Sequence, residues 1–254
     1  MKIKVLGSGT SQGVPVIACH CQVCQSIDPK DKRTRCSIYI QKGNTHLVVD
    51  TGPDFRTQIL REKIEDLDAV LFTHEHKDHV AGLDDIRAFN FKEGGKPMNV
   101  YASLRVQEAL HREFSYVFSE NKYPGIPEIN LCTLTNDDFK VNDLRIIPIN
   151  AMHFKLPVKG FRIENFAYVT DANYIEESEL EKLMNLEVLI INALRKSKHI
   201  SHFNLEQAIE VIKKLNPKKA YLTHISHLMG RHKDVELELP SNVHLAYDGL
   251  QINL

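Results

Sequence analysis

The chain has 254 residues, enough for one large domain with its own core or for two small ones. Its apolar fraction of 43% and charged fraction of 26% are those of a globular protein, and a formal net charge of −1 excludes a strong field for nucleic acid or anionic membrane. No stretch approaches the roughly 18 apolar residues of a membrane span, and MKIKVLGSGT has no apolar signal-peptide core, so a cytoplasmic location is expected.

The pattern predicts a first strand over Lys2 to Leu6, followed by the Gly/Ser turn GSGTSQGVP. A loop with Cys19, Cys21 and Cys24 comes next, then the charged run DPKDKRTR. CSIYIQ and THLVVD read as strands joined by the turn KGN, and PDFRTQILREKI reads as a helix opened by Pro. The short buried strand AVLFT leads into the loop HEHKDH and a helix over AGLDDIRAFNF. Strand NVYAS, helix LRVQEALHREFSYVF and the Pro/Gly loop NKYPGIPEIN follow. A second run of strands is predicted at LCTLT, FKV, DLRIIPINAMH, VKGFRIE and NFAYVTD. The chain then alternates helix EESELEKLM, strand VLIINAL, helix LEQAIEVIKKL and strand KAYLTH. It ends on VHLAYDGLQIN, whose Asp-Gly predicts a hairpin turn. Each half has strands first and helices later, with no flexible linker. Two β-rich layers covered by helices make a four-layer αββα sandwich, a single α/β domain over residues 1–254.

The strongest signal is THEHKDH, with His74, His76, Asp78 and His79 directly after a buried strand. Imidazole suits zinc, iron or manganese, and a carboxylate suits a harder cation. His74 and His76 lie two residues apart and face one way on an extended loop. Asp78 and His79 sit where the chain turns into a helix and can face a second ion. Cys-x-Cys-x2-Cys is a metal-ligand pattern in a reducing compartment, but on its own it leaves the fourth ligand open.

On these residues the whole chain resembles the metallo-β-lactamase superfamily, whose fold is an αββα sandwich with metal ligands on loops along one sheet edge. The family's successive motifs match Asp50 in VVDTG, residues 74 to 79, His153 in INAMHF, Asp171 in YVTDAN and His224 in YLTHISH. The resemblance implies that His74, His76 and His153 hold one metal. It implies that Asp78, His79 and His224 hold a second, bridged to the first by Asp171. Asp50 is expected to orient the histidine loop by hydrogen bonds rather than to bind metal. Two divalent ions, zinc or manganese, would clamp a bridging hydroxide and neutralise charge on a phosphoryl or carbonyl oxygen. No Gly-x-Ser-x-Gly elbow and no Walker-type phosphate loop is present, and GSGTSQG is expected to turn tightly beside the site.

Within the superfamily the chain is similar to the PhnP-like phosphoribosyl cyclic phosphodiesterases, and more distantly to ribonuclease Z and PqqB-type proteins. LGSGTSQGVP, THISH and His202 in SHFNLEQA, 22 residues before His224, carry this likeness. It implies a small cyclic phosphodiester substrate, such as 5-phosphoribosyl 1,2-cyclic phosphate, and a homodimer. Bridging-hydroxide attack would be assisted by His202 as general acid, with Asp78 counted beside it among the catalytic groups. A ribonuclease Z-like RNA phosphodiesterase is less expected, because no exosite arm is visible and the chain is not basic. A thioester hydrolase or persulfide dioxygenase on the same fold is a competing reading. So is a non-catalytic scaffold, against which the full ligand set argues.

The likeness to the PhnP-like group also implies a Cys3His structural zinc of Cys19, Cys21, Cys24 and His227, clipping a loop around residues 15–30. His227 lies three residues past His224. Cys36 and Cys132 are expected as small core side chains. Arg56 and Arg87 are candidate phosphate contacts, but solvated helix positions are the expectation. His20, His46, His111, His199, His232 and His244 are expected as surface or satisfied polar groups.

Overall fold

The computed structural model describes residues 1–121 and 123–254, so Lys122 of the loop NKYPGIPEIN lies outside the described residues. Six strands come first: β1 (Lys2–Gly7), β2 (Ser37–Lys42), β3 (Thr45–Val49), β4 (Ala69–Leu71), β5 (Met98–Ala102) and β6 (Ile129–Thr133). Seven more build a second sheet: β7 (Phe139–Val141), β8 (Leu144–His153), β9 (Leu156–Ile163), β10 (Phe166–Val169), β11 (Val188–Asn192), β12 (Lys219–Thr223) and β13 (Val243–Leu245). The last strand, β14 (Gln251–Asn253), returns to the first sheet beside β1. The sheet orders are β14-β1-β2-β3-β4-β5-β6 and β13-β12-β11-β10-β9-β8-β7.

Strand alternation makes the layers. Ile38 and Ile40 of β2, with Leu47 and Val49 of β3, face the second sheet and pack with Phe161, Phe166 and Ile190. Tyr39 and Val48, one residue out of phase, face outward and pack with Phe55, Leu83 and Val106. Helices α1 (Phe55–Glu62), α2 (Lys77–Val80), α3 (Arg87–Lys92) and α4 (Leu104–Glu113) follow strands of the first sheet. Helices α5 (Glu177–Glu181), α6 (Leu205–Leu215) and α7 (His232–Glu236) accompany the second, where Leu180, Ala208, Ile212 and Val235 join a separate core. The result is the expected αββα sandwich. The start of α6 is fixed by a capping box, in which Asn204 and Gln207 satisfy each other's backbone N–H groups.

Two expectations are corrected. AGLDDIRAFNF is not one helix: a 3-10 turn over Leu83–Ile86 precedes α3. A Cβ on Gly82 would stand 2.1 Å from the Gly52 carbonyl oxygen, so the chain clears that close contact before α3 begins. The Asp-Gly turn does not close a hairpin either. β13 pairs in parallel with β12, whereas β14 pairs with β1 in the other sheet, so the turn crosses between sheets. Asp248 is occupied elsewhere. Its Oδ1 accepts from Ser8 N and Ser8 Oγ at 2.9 Å, and its Oδ2 from Thr34 N at 2.9 Å and Thr34 Oγ1 at 2.6 Å. Helix α7 was not anticipated from the sequence at all; its first residue, His232, is a buried, satisfied polar group against the Arg33 guanidinium, at 3.2 Å.

Asp248→Ala would strand these donors and loosen the loop after β1. Urea unfolding is expected to show a loss of about 3 kcal/mol or more; a loss under about 1 kcal/mol would mean that the tie adds little.

Candidate metal centre

Each candidate side chain leaves the end of a strand or the loop just beyond it. Asp50 follows β3, His74 to His79 follow β4, His153 closes β8, Asp171 follows β10 and His224 follows β12. His202 lies between β11 and α6. Asp50, Asp171 and His224 have φ of 64°, 58° and 55°. That left-handed geometry costs a non-glycine residue roughly 1–2 kcal/mol. Here it turns the chain sharply at the strand end, beside the other candidate ligands. The strain is held by the hydrogen bonds these residues make.

The separations between side chains match a ligand cage. His74 Nε2 is 3.0 Å from His76 Nδ1. His79 Nε2 is 3.2 Å from Asp78 Oδ2 and 3.3 Å from Asp171 Oδ2, and His224 Nδ1 is 3.0 Å from that same oxygen. Tetrahedral ligation at about 2.0–2.2 Å gives ligand-to-ligand edges of about 3.4 Å. The His153 ring centroid is 5.8 Å from that of His74 and 5.2 Å from that of His76. Two donor groups share Asp171: His153, Asp171 and His202 on one side, and Cys36, His79, Asp171 and His224 on the other. His79 Nε2 is buried without a hydrogen-bond partner, an expense that a cation would remove.

The outward nitrogen of four of these rings has a partner. His79 Nδ1 donates to Asp50 Oδ2 at 2.7 Å, and His153 Nδ1 donates to the Ser201 carbonyl at 2.7 Å. His74 Nδ1 meets Thr73 Oγ1 at 3.0 Å, and His224 Nε2 meets Thr10 Oγ1 at 3.1 Å. Such partners fix the ring orientation and the protonated nitrogen, leaving the other nitrogen for a metal. Asp50 is bonded to the loop that carries these histidines. Its Oδ1 accepts from Thr73 N at 2.9 Å, and its Oδ2 accepts from Thr73 Oγ1 at 2.8 Å as well as from His79.

Electrostatics point the same way. Burial opposes the Asp171 carboxylate, but His224 and His79 outweigh it and hold the group well below the usual carboxylate range. Burial likewise opposes charge on His79, and Asp78, Asp171 and Asp50 overcome it, raising that imidazole well above its ordinary value. His224 is raised too, by Asp171 and Cys36 against burial. His202 goes the other way: burial first, then His224, lower it to about 3. The carboxylates around His79 and His224 thus call for positive charge at both rings, the demand that a cation would meet.

The cysteines form a second cluster. Cys19, Cys21 and Cys24 Sγ lie 3.2, 3.4 and 3.5 Å from His227 Nδ1. A tetrahedral zinc site with Zn–S of about 2.3 Å and Zn–N of about 2.0 Å has S···N edges of about 3.5 Å. No disulfide joins them. The Cys24 backbone N–H draws the Cys21 thiol down to about 6, while burial pushes Cys24 up to about 11. A cation held by these donors would draw the sulfurs into the thiolate form, the form in which cysteine binds metal.

Some residues stand elsewhere than the sequence suggested. Cys36 is buried as expected, but its Sγ lies 3.2 Å from His224 Nδ1 at the centre, not in the general core. Only its position one residue before an inward-facing strand hinted at this. His202 stands at the centre: Asn204 caps α6, and the His202 ring is stacked 4.8 Å from His224 with Nδ1 unpartnered. His199 stands beside it, with ring centroids 5.2 Å apart. Arg56 and Arg87 are exposed and line a separate cleft by Phe55, with Arg87 paired to Asp84 at 2.9 Å. His46 and His244 are satisfied polar groups, facing Tyr39 and Glu236.

The sequence profile of the family described as "Beta-lactamase superfamily domain" matches residues 45–225, which span every active-centre candidate from Asp50 to His224. The chain belongs to the β-lactamase superfamily. Its branch follows from a solved diphosphatase of the PhnP family, 36% identical, which superposes with a TM-score of 0.93 over 99% of this chain and 96% of that one. Zinc-bound PqqB from Methylobacterium extorquens shares the fold, with a TM-score of 0.82 at 19% identity over the full length of both chains. Among curated sequences, an octanoyltransferase of Porphyromonas gingivalis is 42% identical over 99% of this chain and 51% of that protein. A ribonuclease Z of Methanopyrus kandleri is 27% identical over 54% of this chain and 46% of its own. The chain thus spans about half the length of the curated relatives it matches.

Among the described residues no helix is long and apolar enough to cross a membrane. Divalent metal taken up at pH 7 must displace the protons on His79 and His224. Calorimetry in buffers of different ionisation enthalpy, on protein whose cysteine clip is already loaded with zinc, is expected to report release of roughly two protons per chain, with affinity falling as pH is lowered. Uptake without proton release would contradict the charge state described.

Proposed function

We propose that this chain is a dinuclear metal-dependent hydrolase of phosphodiesters, acting on a small, cyclic substrate such as 5-phosphoribosyl 1,2-cyclic phosphate. The single observation that carries the reading is the convergence on Asp171 of His153 from one side and of His79 and His224 from the other, with His74 and His76 beside His153 and Asp78 beside His79. His74, His76 and His153 would hold one ion, and Asp78, His79 and His224 the other. When bound, the pair of divalent ions, zinc or manganese, supplies an activated water and neutralises charge on the phosphoryl oxygens.

The protein's own groups do the rest. Asp50 and Thr73 hold the histidine loop rigid. Asp171, pinned between His79 and His224, fixes the separation of the two halves. His202 has an unpartnered Nδ1 facing Asp171 Oδ1 at 3.8 Å. Its ring is neutral in the free chain, because burial and the neighbouring His224 disfavour charge. A phosphodiester anion seated beside it reverses that balance, so His202 takes up a proton with the substrate and hands it to the departing alkoxide.

A second reading has its own support: the 36%-identical PhnP-family relative is a diphosphatase, so a diphosphate ester would be the substrate class. Cleavage of bis(p-nitrophenyl) phosphate, a ribose cyclic phosphate and a nucleoside diphosphate ester by the metal-loaded protein separates the readings. No turnover of any of them, with metals bound, rejects both.

His202→Ala is expected to lower kcat by about 10²–10⁴ with metal content unchanged; full activity would remove His202 from the reaction. The Cys3His cluster is assigned to a structural zinc. Metal analysis is expected to find three ions per chain, two in the centre and one in the clip. His227→Ala should retain two, and retention of all three would disprove the assignment.

A further inference from the structure

The turn GSGTSQG has no part in the reaction as described, yet it touches the centre. Thr10 is almost wholly buried, and its hydroxyl lies 3.1 Å from His224 Nε2. The turn is tied to the segment that carries His224 by backbone bonds in both directions: Thr10 N donates to Ile225 O at 3.1 Å, and Ile225 N donates to Ser8 O at 2.9 Å. Gly9 N donates to Thr34 O at 2.8 Å, and Gly13 N closes the turn on Thr10 O at 2.8 Å. A Cβ on Gly9 would come within 2.9 Å of the Arg33 and Thr34 carbonyl oxygens, so the close approach requires glycine there.

His224 needs such a partner. Its backbone is in the left-handed region, at φ 55°, and its ring lies flat against that of His202, with an interplanar angle of 22°. A stacked ring can turn over by 180° about its Cβ–Cγ bond at little steric cost. Only one of the two orientations puts Nδ1 beside Asp171 Oδ2, at 3.0 Å. In that orientation Nδ1 also meets Cys36 Sγ at 3.2 Å, and at the far end of the ring the Thr10 hydroxyl meets Nε2.

We propose that Thr10 is a positioning residue for the second ion of the centre: its hydroxyl accepts from His224 Nε2–H and holds Nδ1 toward Asp171 as a ready metal donor. This rests on the dinuclear reading given above. Thr10 thus does for His224 what Asp50 does for His79 and the Ser201 carbonyl does for His153. A neutral hydroxyl suffices because the neighbouring carboxylates already supply the negative charge.

The test compares Thr10→Val, which keeps the shape, with Thr10→Ser, which keeps the hydroxyl. Each metal-free protein is titrated with zinc against a chromophoric chelator, and thermal unfolding of the metal-free forms is recorded. The expected result is that Thr10→Val binds the second ion about 10–100-fold more weakly. Thr10→Ser should stay within a few-fold of the parent, with the first ion and the clip ion unchanged in both. Equal second-ion affinity in Thr10→Val overturns the proposal. So does equal weakening in the Ser and Val variants, which would make the effect one of packing. A parent chain that binds only the clip ion would overturn the dinuclear reading itself, and the proposal with it.

Discussion

A single buried carboxylate organises the centre. Asp171 stands within 3.3 Å of one ring nitrogen from the first half of the chain, on His79, and one from the second half, on His224. Removing a carboxylate from water costs several kcal/mol unless opposite charge surrounds it. The surroundings here come from strands of both sheets, so the charge is compensated only when the two sheets are docked in register. The inter-sheet core supplies that docking: Tyr168, on the strand leading to Asp171, is buried among Ile38, Leu47 and Phe161. Fold and site are therefore one constraint. The apolar faces hold the sheets together, and their aligned strand ends leave a polar rim that only cations or protons can satisfy.

Much of this was legible in the residues. HxHxDH after a short apolar strand is a local pattern, and the strand-then-acid ending of VVDTG and YVTDAN repeats it at a distance. CSIYIQ and THLVVD were read correctly as strands, and their two faces each meet a different apolar partner. The Asp-Gly turn misled for a physical reason. Its hairpin preference is a local backbone term, whereas Asp248 makes hydrogen bonds to Ser8 and Thr34, more than 200 residues away, which no local pattern encodes. Cys36 and Thr10 belong to the same class. Each is ordinary in its own segment and acquires meaning only from the partner that the fold brings against it.

The two candidate metal-ligand clusters also have different demands. The cysteine clip closes on four donors and has no room for a substrate, so it fits a role in holding the loop. The histidine centre has His76 exposed and His153 half-buried, so it opens to solvent on one side. His224 and His227 lie three residues apart on one segment and serve the two clusters separately. Order in the clip is thereby inherited by the centre.

The crossing made by the last two strands has a further geometric result. Because β14 runs antiparallel to β1, the Leu254 carbonyl meets the Met1 amino group. Both chain ends then sit where β1 begins, while the turn at Thr10 sits where it finishes. A strand of six residues separates these points by about 20 Å. The chain ends and the open mouth thus lie at opposite ends of the first sheet, so a change at either terminus acts far from the rim of candidate ligands.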